Sequence, residues 1–503
     1  MAAAGSPEQA GLRMSTARGR WVLLATVLGS GIASIDATAV SVALPSIGRD
    51  LGADLASLQW VITAYTVTLA GFLLVGGSLG DRYGRRRVFM IGVGWFAVAS
   101  LLCGIAPNVP VLVAARALQG VGGALLAPGS LAILQASFAV GDRPRAIGAW
   151  SGLSGVATAV GPFLGGWLVE VLSWRLVFFI NLPLVAAVLV VAARHVPEST
   201  DPGATGRVDL AGAVLVTGGL VGLSYGLIEG PDSGWDAPAV LGALLLGVAS
   251  LAGFVAVERR AATPMMPLDL FGSRQFSAAN MVTFVVYASL GGALFLLPIQ
   301  LQQVGGYSPL AAGTALLPLT IVMLTLSARS GALAERIGPR AQMTVGPVVA
   351  AAGLALITRA AGEGGYLLDV LPGVIVLGLG LATVVAPLTS TALGAAPAEH
   401  AGIASAVNND VARTAQLLAV AVLPAAAGLT GDAYLDAAGF ASGFQSALWI
   451  VAGLCASGGL VAYLGIRNPA PTRPTAIPKR PMVPCRHCGI DAPPPVTGTA
   501  ARR

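Results

Sequence analysis

Charge is scarce in this sequence. Asp, Glu, Lys and Arg make up 10 % of its 503 residues, where a soluble domain carries about 25 %, so the chain lacks the polar surface needed to face water on all sides. Histidine occurs three times and cysteine four. Cys103 and Cys455 fall inside apolar runs and read as small core residues. Cys485 and Cys488 flank His487 in a CxxC, which is half of a zinc ribbon that needs two such pairs. No metal site and no cofactor are therefore expected. The pattern G-x-x-x-x-G-K-[ST] is absent, so no ATP-driven step is expected. Gly76-Gly77-Ser78-Leu79-Gly80 has the spacing of a nucleophile elbow, but that elbow needs a strand-to-helix turn with histidine and acid partners. Here it ends an apolar run far from His195, His400 and His487, and no enzymatic activity is expected. The net charge of +6 is spread over many short segments. A nucleic-acid partner would require a concentrated basic face, so none is expected.

Apolar sequence is abundant: 55 % of residues are hydrophobic and mean hydropathy is +0.79. Runs of about 20 apolar residues, each enough to cross a hydrocarbon core of roughly 30 Å, recur about fourteen times. In hydrocarbon the backbone must satisfy its own polar groups, so these runs are predicted to be helices. The alternating ten-residue segments of a membrane barrel are not present. The first run, 21–46, follows Arg13, Arg18 and Arg20 as a signal peptide would, but it exceeds the 7–15 apolar residues of one and reads as a retained helix. The predicted fold is an all-α integral membrane protein.

Placing the amino terminus in the cytoplasm puts nearly all 29 Lys and Arg residues in cytoplasmic loops and tails. Arg49, Arg175 and Arg359 fall outside; Arg116 and Arg413 fall within helices. The opposite loops are acidic (Asp50, Asp54, Glu229, Asp232, Asp236, Glu363, Asp369, Asp432 and Asp436). This bias satisfies the positive-inside rule with an even number of helices and both termini in the cytoplasm.

An internal repeat organises the chain. Gly77, Leu79, Asp81, Arg82, Gly84 and Arg86 recur at the same offsets as Gly331, Leu333, Glu335, Arg336, Gly338 and Arg340. Both copies fall in loops on the same side, so the two halves share one orientation and are related by an axis along the membrane normal. Residues 1–20 are then a cytoplasmic tail, 21–196 an N-terminal six-helix bundle, 197–275 two linking helices with their loops, 276–466 a C-terminal six-helix bundle, and 467–503 a Pro/Arg-rich disordered tail. Gly84 and Gly338 supply the positive φ of a tight turn, and Arg85 or its neighbours can pair with Asp81 or Glu335.

At these residues the sequence resembles the major facilitator superfamily, in its fourteen-helix drug:proton antiporter branch, over about residues 20–465. Asp36-Ala37-Thr38-Ala39-Val40-Ser41-Val42-Ala43-Leu44-Pro45 looks like that branch's first-helix stretch, with Ser41 where asparagine is usual. Gln59-Trp60, Thr63-Ala64-Tyr65, the Gly77–Arg86 loop, Leu112 with Arg116 and Gln119-Gly120, and Trp174-Arg175 with Phe179-Ile180-Asn181-Leu182-Pro183 follow in the branch's order. Gly161-Pro162 with Gly165-Gly166 matches the helix motif that marks antiporters. The resemblance implies a proton-coupled exporter of small amphipathic or toxic compounds, in which two six-helix halves rock about a central site. It also implies a latch role for Gly77, Asp81, Arg82, Gly84, Arg85, Glu335 and Arg336, and a leak-limiting role for Gly161, Pro162, Gly165 and Gly166. Asp410, and Gln416 where a small glycine is common, depart from the family pattern.

Charges inside a spanning helix cost roughly 2.5–3.5 kcal/mol on insertion scales and mark functional paths by default. Asp36 lies midway along the first helix. It reads as a proton-coupling acid, with a fixed buried ion pair as the alternative, and Arg116 as the cation that compensates it. Asn408, Asn409, Asp410 and Arg413 form a candidate second polar site, in which Asp410 and Arg413, three apart on one face, read as a neutral packed pair or a site that opens during transport. The expected partners are a small-molecule substrate, protons and membrane lipids, with the protein monomeric in the cell membrane. Export of one dedicated metabolite or lipid, and a non-transporting receptor or scaffold, remain open.

Overall fold

The computed structural model describes residues 11–201, 209–261, 266–361, 365–396, 401–430 and 436–468; Cys485 and Cys488 lie outside them. Among the described residues, thirteen helices are long and apolar enough to cross a membrane. They are α1 (Ala17–Leu51), α2 (Leu55–Tyr83), α3 (Arg85–Gly104), α4 (Val109–Ser137), α5 (Arg143–Val171), α6 (Leu176–His195), α7 (Leu210–Ser233), α8 (Pro238–Glu258), α9 (Arg274–Gln303), α10 (Pro309–Ile337), α11 (Pro339–Ala360), α12 (Tyr366–Gly394) and α14 (Ala437–Gly465). Between the last two runs α13 (Ala401–Ala426). Asn408, Asn409, Asp410, Arg413 and Gln416 lower its hydropathy below that of its neighbours, and with it the helices number fourteen.

Helix starts follow local chemistry. The side chains of Asp54, Asn108, Asp209, Ser308 and Asp436 accept backbone N–H groups of the first turns of α2, α4, α7, α10 and α14, satisfying donors that have no intrahelical partner. Helices α1–α6 pack as one group and α9–α14 as another, while α7 and α8 form a hairpin whose α7 leans on α2 and α13. The groups meet along α1 with α9, α2 with α13, and α5 with α10.

The repeat seen in the loops extends into hydrogen bonds. At the end of the molecule carrying Gly77–Arg86, here called the basic end, Arg18 donates to the His195 carbonyl and Arg86 to the Val196 carbonyl. In the second half Arg274 donates to the Leu464 carbonyl and Arg340 to the Tyr463 carbonyl. Two arginines per half thus satisfy the last carbonyls of its sixth helix, α6 or α14, where a cation also meets the negative end of the helix dipole.

At the opposite, acidic end the halves are joined. Gln59 on α2 donates to the Val420 carbonyl on α13 at 2.5 Å; Pro424 has no N–H to give that carbonyl. Gln302 on α9 donates to the Val42 carbonyl on α1 at 2.9 Å, three residues before Pro45. Leu310 N–H of α10 donates to the Glu170 carboxylate of α5 at 3.0 Å. Gln59 also reaches the Ala421 carbonyl at 3.3 Å, and Ser308 hydrogen-bonds the Glu170 carboxylate, so several bonds tie the halves together at this end. Toward the basic end the halves part: from Arg143 to Val160 on α5 only Ala146 is buried, and from Ile321 to Ile337 on α10 only Ser330 and Ala334. Trp21 and Trp235 are 42 % and 52 % exposed, as interfacial anchors should be, but Trp174 is 4 % exposed. Its indole donates to Asp50, which also pairs with Arg175 at 2.6 Å, so it is a packed cap.

Gly84 and Gly338 have φ of +110° and +83°, as the sequence requires. A Cβ at Gly84 would also meet the Glu198 carboxylate at 2.7 Å. Gly84→Ala is expected to cost about 1–2 kcal/mol from backbone strain alone, seen as a lower melting temperature in detergent. An unchanged melting temperature would contradict this.

Candidate functional site

Asp36, Arg116 and their neighbours form one closed network inside the N-terminal bundle. The side chains of Asp36 and Arg116 are 0 % exposed, and Arg116 Nη1 lies 2.6 Å from Asp36 Oδ2. Asp36 Oδ1 accepts from Gln119 Nε2 at 2.8 Å and from Asn181 Nδ2 at 2.9 Å. Both of those amides also donate to Ser100 Oγ, at 2.7 and 3.1 Å. Arg116 Nη1 reaches Gln119 Oε1 at 2.6 Å and Nε reaches the Val61 carbonyl at 3.1 Å. The guanidinium stacks over the Tyr65 ring at 4.3 Å, a contact worth about 2 kcal/mol where water is excluded. Five helices contribute: α1, α2, α3, α4 and α6.

Both oxygens of Asp36 accept and neither donates, which is the pattern of an ionised carboxylate. Arg116 keeps Gln119 Oε1 and the Val61 carbonyl as acceptors independent of Asp36, while its Nη2 has no partner. The cation is therefore provided for whichever state the acid adopts. Asp36 occupies the interior of one bundle and not the cleft between halves, a placement its position along α1 could not reveal. Ser100, Gln119, Asn181 and Tyr65 were not among the predicted site residues. The signal for three of them was a polar side chain inside an apolar run; Ser100 is too common a helix residue to be singled out.

The glycines of α5 permit close approach. A Cβ at Gly161 would strike Thr38 Oγ1, one at Gly165 would meet Ala39 at 2.7 Å, and one at Gly166 would meet Leu310 at 2.8 Å. Pro162 leaves the Thr158 carbonyl without its helical donor, and Thr38 Oγ1 on α1 donates to it at 3.3 Å. Gly313 of α10 sits against the Pro162 carbonyl. The motif is thus the three-way meeting of α1, α5 and α10.

The Gly77–Arg86 loop is braced by a segment that the sequence did not single out. Asp81 pairs with Arg85 at 2.7 Å. The Arg85 N–H donates to the Ser199 carbonyl and the Asp201 N–H to the Asp81 carbonyl. Glu198 accepts the N–H groups of Arg86 and Arg87 at 3.0 and 3.2 Å, capping α3. Gly77 lies near Pro128, and Arg82 is half-buried beside Asp81. In the second half Glu335 and Arg336 are exposed and make no ion pair among the described residues, so the two copies of the loop differ.

On α13, Asn408 is buried and donates to Asn280 and Thr283 of α9, while Asn409 is exposed and donates to its own helix at Ser405. Asp410 and Arg413, read as a packed neutral pair or as a site that opens during transport, are both half-buried, and no ion pair joins them. A cavity of about 690 Å³ lies at the acidic end among Gly48, Asp54, Gln59, Pro231, Ala421 and Pro424.

Breaking a buried pair by removing one partner costs about 3–5 kcal/mol, because the other charge is left uncompensated. Asp36→Asn and Arg116→Gln should each lower thermal stability strongly, and the double variant should recover most of the loss. Additive losses in a double-mutant cycle would mean that the two charges do not interact.

Comparison with known proteins agrees with this geometry. The chain is 38 % identical to a tetracenomycin C resistance and export protein of Streptomyces glaucescens, over 83 % of this chain and 78 % of that one. It is 37 % identical to the multidrug resistance protein Stp of Mycobacterium tuberculosis, over 76 % and 71 %. Among solved structures, a peptide transporter in complex with sulfate aligns with a TM-score of 0.66 at 17 % identity, covering 90 % of this chain and 96 % of that one. A D-xylose–proton symporter aligns at 0.65 and 15 %, covering 90 % and 99 %. A family model described as Major Facilitator Superfamily matches residues 26–420. With its paired six-helix bundles, this multi-pass membrane protein belongs to the Major Facilitator Superfamily, among relatives that are antibiotic and multidrug resistance exporters.

Proposed function

We propose that this protein exports small amphipathic or toxic compounds across the cell membrane in exchange for protons, with both termini and the basic end in the cytoplasm. The observation that carries the reading is the Asp36–Arg116 network, an acid and a cation with no exposure to solvent in a bundle where permanent charge is costly. The names of the relatives supply the substrate class, antibiotic-like molecules.

The proposed coupling runs along α1. Within two turns it carries Asp36, then Thr38 and Ala39 against α5, then the Val42 carbonyl that takes the cross-half bond from Gln302. Protonation of Asp36 removes an acceptor from Arg116, Gln119 or Asn181, and the four helices around α1 must repack. The same helix then shifts at its contacts with α5 and α9, where the acidic end is closed. Deprotonation restores the closed arrangement described here. In this scheme the two halves alternate access to a shared cleft, the protein works as a monomer, no cofactor takes part, and the protein carries its substrate without chemical change.

Asp36→Asn alone leaves Arg116 uncompensated, so Asp36→Asn with Arg116→Gln is the fair test. In everted vesicles energised by a pH gradient, the double variant should be folded, should bind a substrate dye, and should lose uphill dye accumulation. Wild-type accumulation by that variant would remove this network from the coupling mechanism.

A further inference from the structure

Asp410 and Arg413 place two opposite charges one turn apart on α13, in a half whose other unpartnered buried polar atoms belong mostly to neutral side chains (Gln300, Gln302, Gln342, Thr344 and Thr391). Asn408, one and a half turns from Arg413, is held by Asn280 and Thr283. Asp410 Oδ1 and Arg413 Nε are each buried without a hydrogen-bond partner, and the two side chains do not pair with each other although they stand one turn apart on α13. Leaving a buried charged donor or acceptor unsatisfied is costly, and a closed pair would have been the cheaper arrangement.

Their direction follows from the same face of α13. Near its acidic end the Val420 carbonyl takes the Gln59 bond from α2. One turn below, Leu417 is buried with Val67 and Ala70 of α2 and Leu220 of α7. One turn further on the same face stands Arg413, with Asp410 three residues beyond it. Below that level no hydrogen bond joins α2 to α13 among the described residues. The face of α13 that seals the halves at the acidic end thus continues through Arg413 and Asp410, beyond the last of those bonds.

We infer that Asp410 and Arg413 form a two-charge subsite, in the cleft between the halves, for an amphoteric substrate, with Arg413 taking an acidic oxygen (carboxylate or phenolate) and Asp410 taking a basic nitrogen. The two positions are about 4.5 Å apart along the helix, so one small molecule can reach both. In the Asp36 network both carboxylate oxygens are already bonded and the acid and cation are closed on each other, although Arg116 Nη2 has no partner. The inference rests on the export reading for its direction of transport, while the subsite itself can be tested by binding.

The probes are an aromatic fluorophore carrying a free amino acid group, its methyl ester, which is cationic, and its N-acetyl form, which is anionic. On the purified full chain in detergent, the wild type should bind the zwitterion about tenfold tighter than either blocked form, as expected for one hydrogen bond to a charged group. Asp410→Asn should erase the preference over the N-acetyl form alone, and Arg413→Gln the preference over the ester alone. As a measurement that needs no variant, the zwitterion should protect Arg413 from phenylglyoxal in peptide mass analysis of the wild type. An unchanged ranking in both variants, no wild-type preference, or no protection would each overturn the subsite. If the rankings hold but wild-type vesicles export no probe, the subsite stands and the export reading falls.

Discussion

A carboxylate and a guanidinium cannot both be kept from solvent inside an apolar bundle unless each finds the other and the rest of its hydrogen bonds. Asp36 and Arg116 impose that requirement on five helices. Gln119, Asn181 and Ser100 complete the acid's shell, and Gln119, the Val61 carbonyl and the Tyr65 ring hold the cation, whose Nη2 alone is left without a partner. The bundle α1–α6 therefore has a polar centre as well as an apolar one. Any change in the protonation of Asp36 must be answered by the packing of helices, because no water is at hand to answer it.

Proline sets the second constraint. Pro162 and Pro424 each free a carbonyl in the interior of a spanning helix, and a free carbonyl in hydrocarbon needs a donor from elsewhere. Thr38 answers the first from within the same half, and Gln59 answers the second from the other half. Local helix breaks thereby become contacts between helices, and in the case of Gln59 a contact across the seam that must open if the halves rock. At the basic end no such bond is seen among the described residues, and Arg18, Arg86, Arg274 and Arg340 serve the ends of α6 and α14 within their own halves.

Much of the fold was legible because bilayer thickness and backbone satisfaction leave only long apolar helices as a solution, and α7 and α8, rich in Gly and Ala, obeyed the same rule. The two turn glycines were legible for a steric reason, their positive φ. The site was legible only in part. Asp36 and Arg116 stood out as charges in apolar runs, and Gly161, Pro162, Gly165 and Gly166 as a motif match, but which helix each met depended on tertiary packing. Glu198 gave no signal, since an acid in a polar loop after α6 is ordinary until the chain folds back and caps α3. For Asp410 and Arg413, helical spacing left a packed pair and an opening site as alternatives, because spacing places two groups on one face without fixing the distance between them; no ion pair joins them in the structure.

The central claim is that the Asp36 carboxylate exchanges its proton when substrate binds. Proton release into weakly buffered detergent solution, followed with a pH indicator as a saturating substrate dye is added to the purified protein, tests it most directly. The account predicts stoichiometric release from the wild type and none from the stabilised variant carrying Asp36→Asn and Arg116→Gln, at equal dye occupancy. Equal proton release from the two proteins would contradict it.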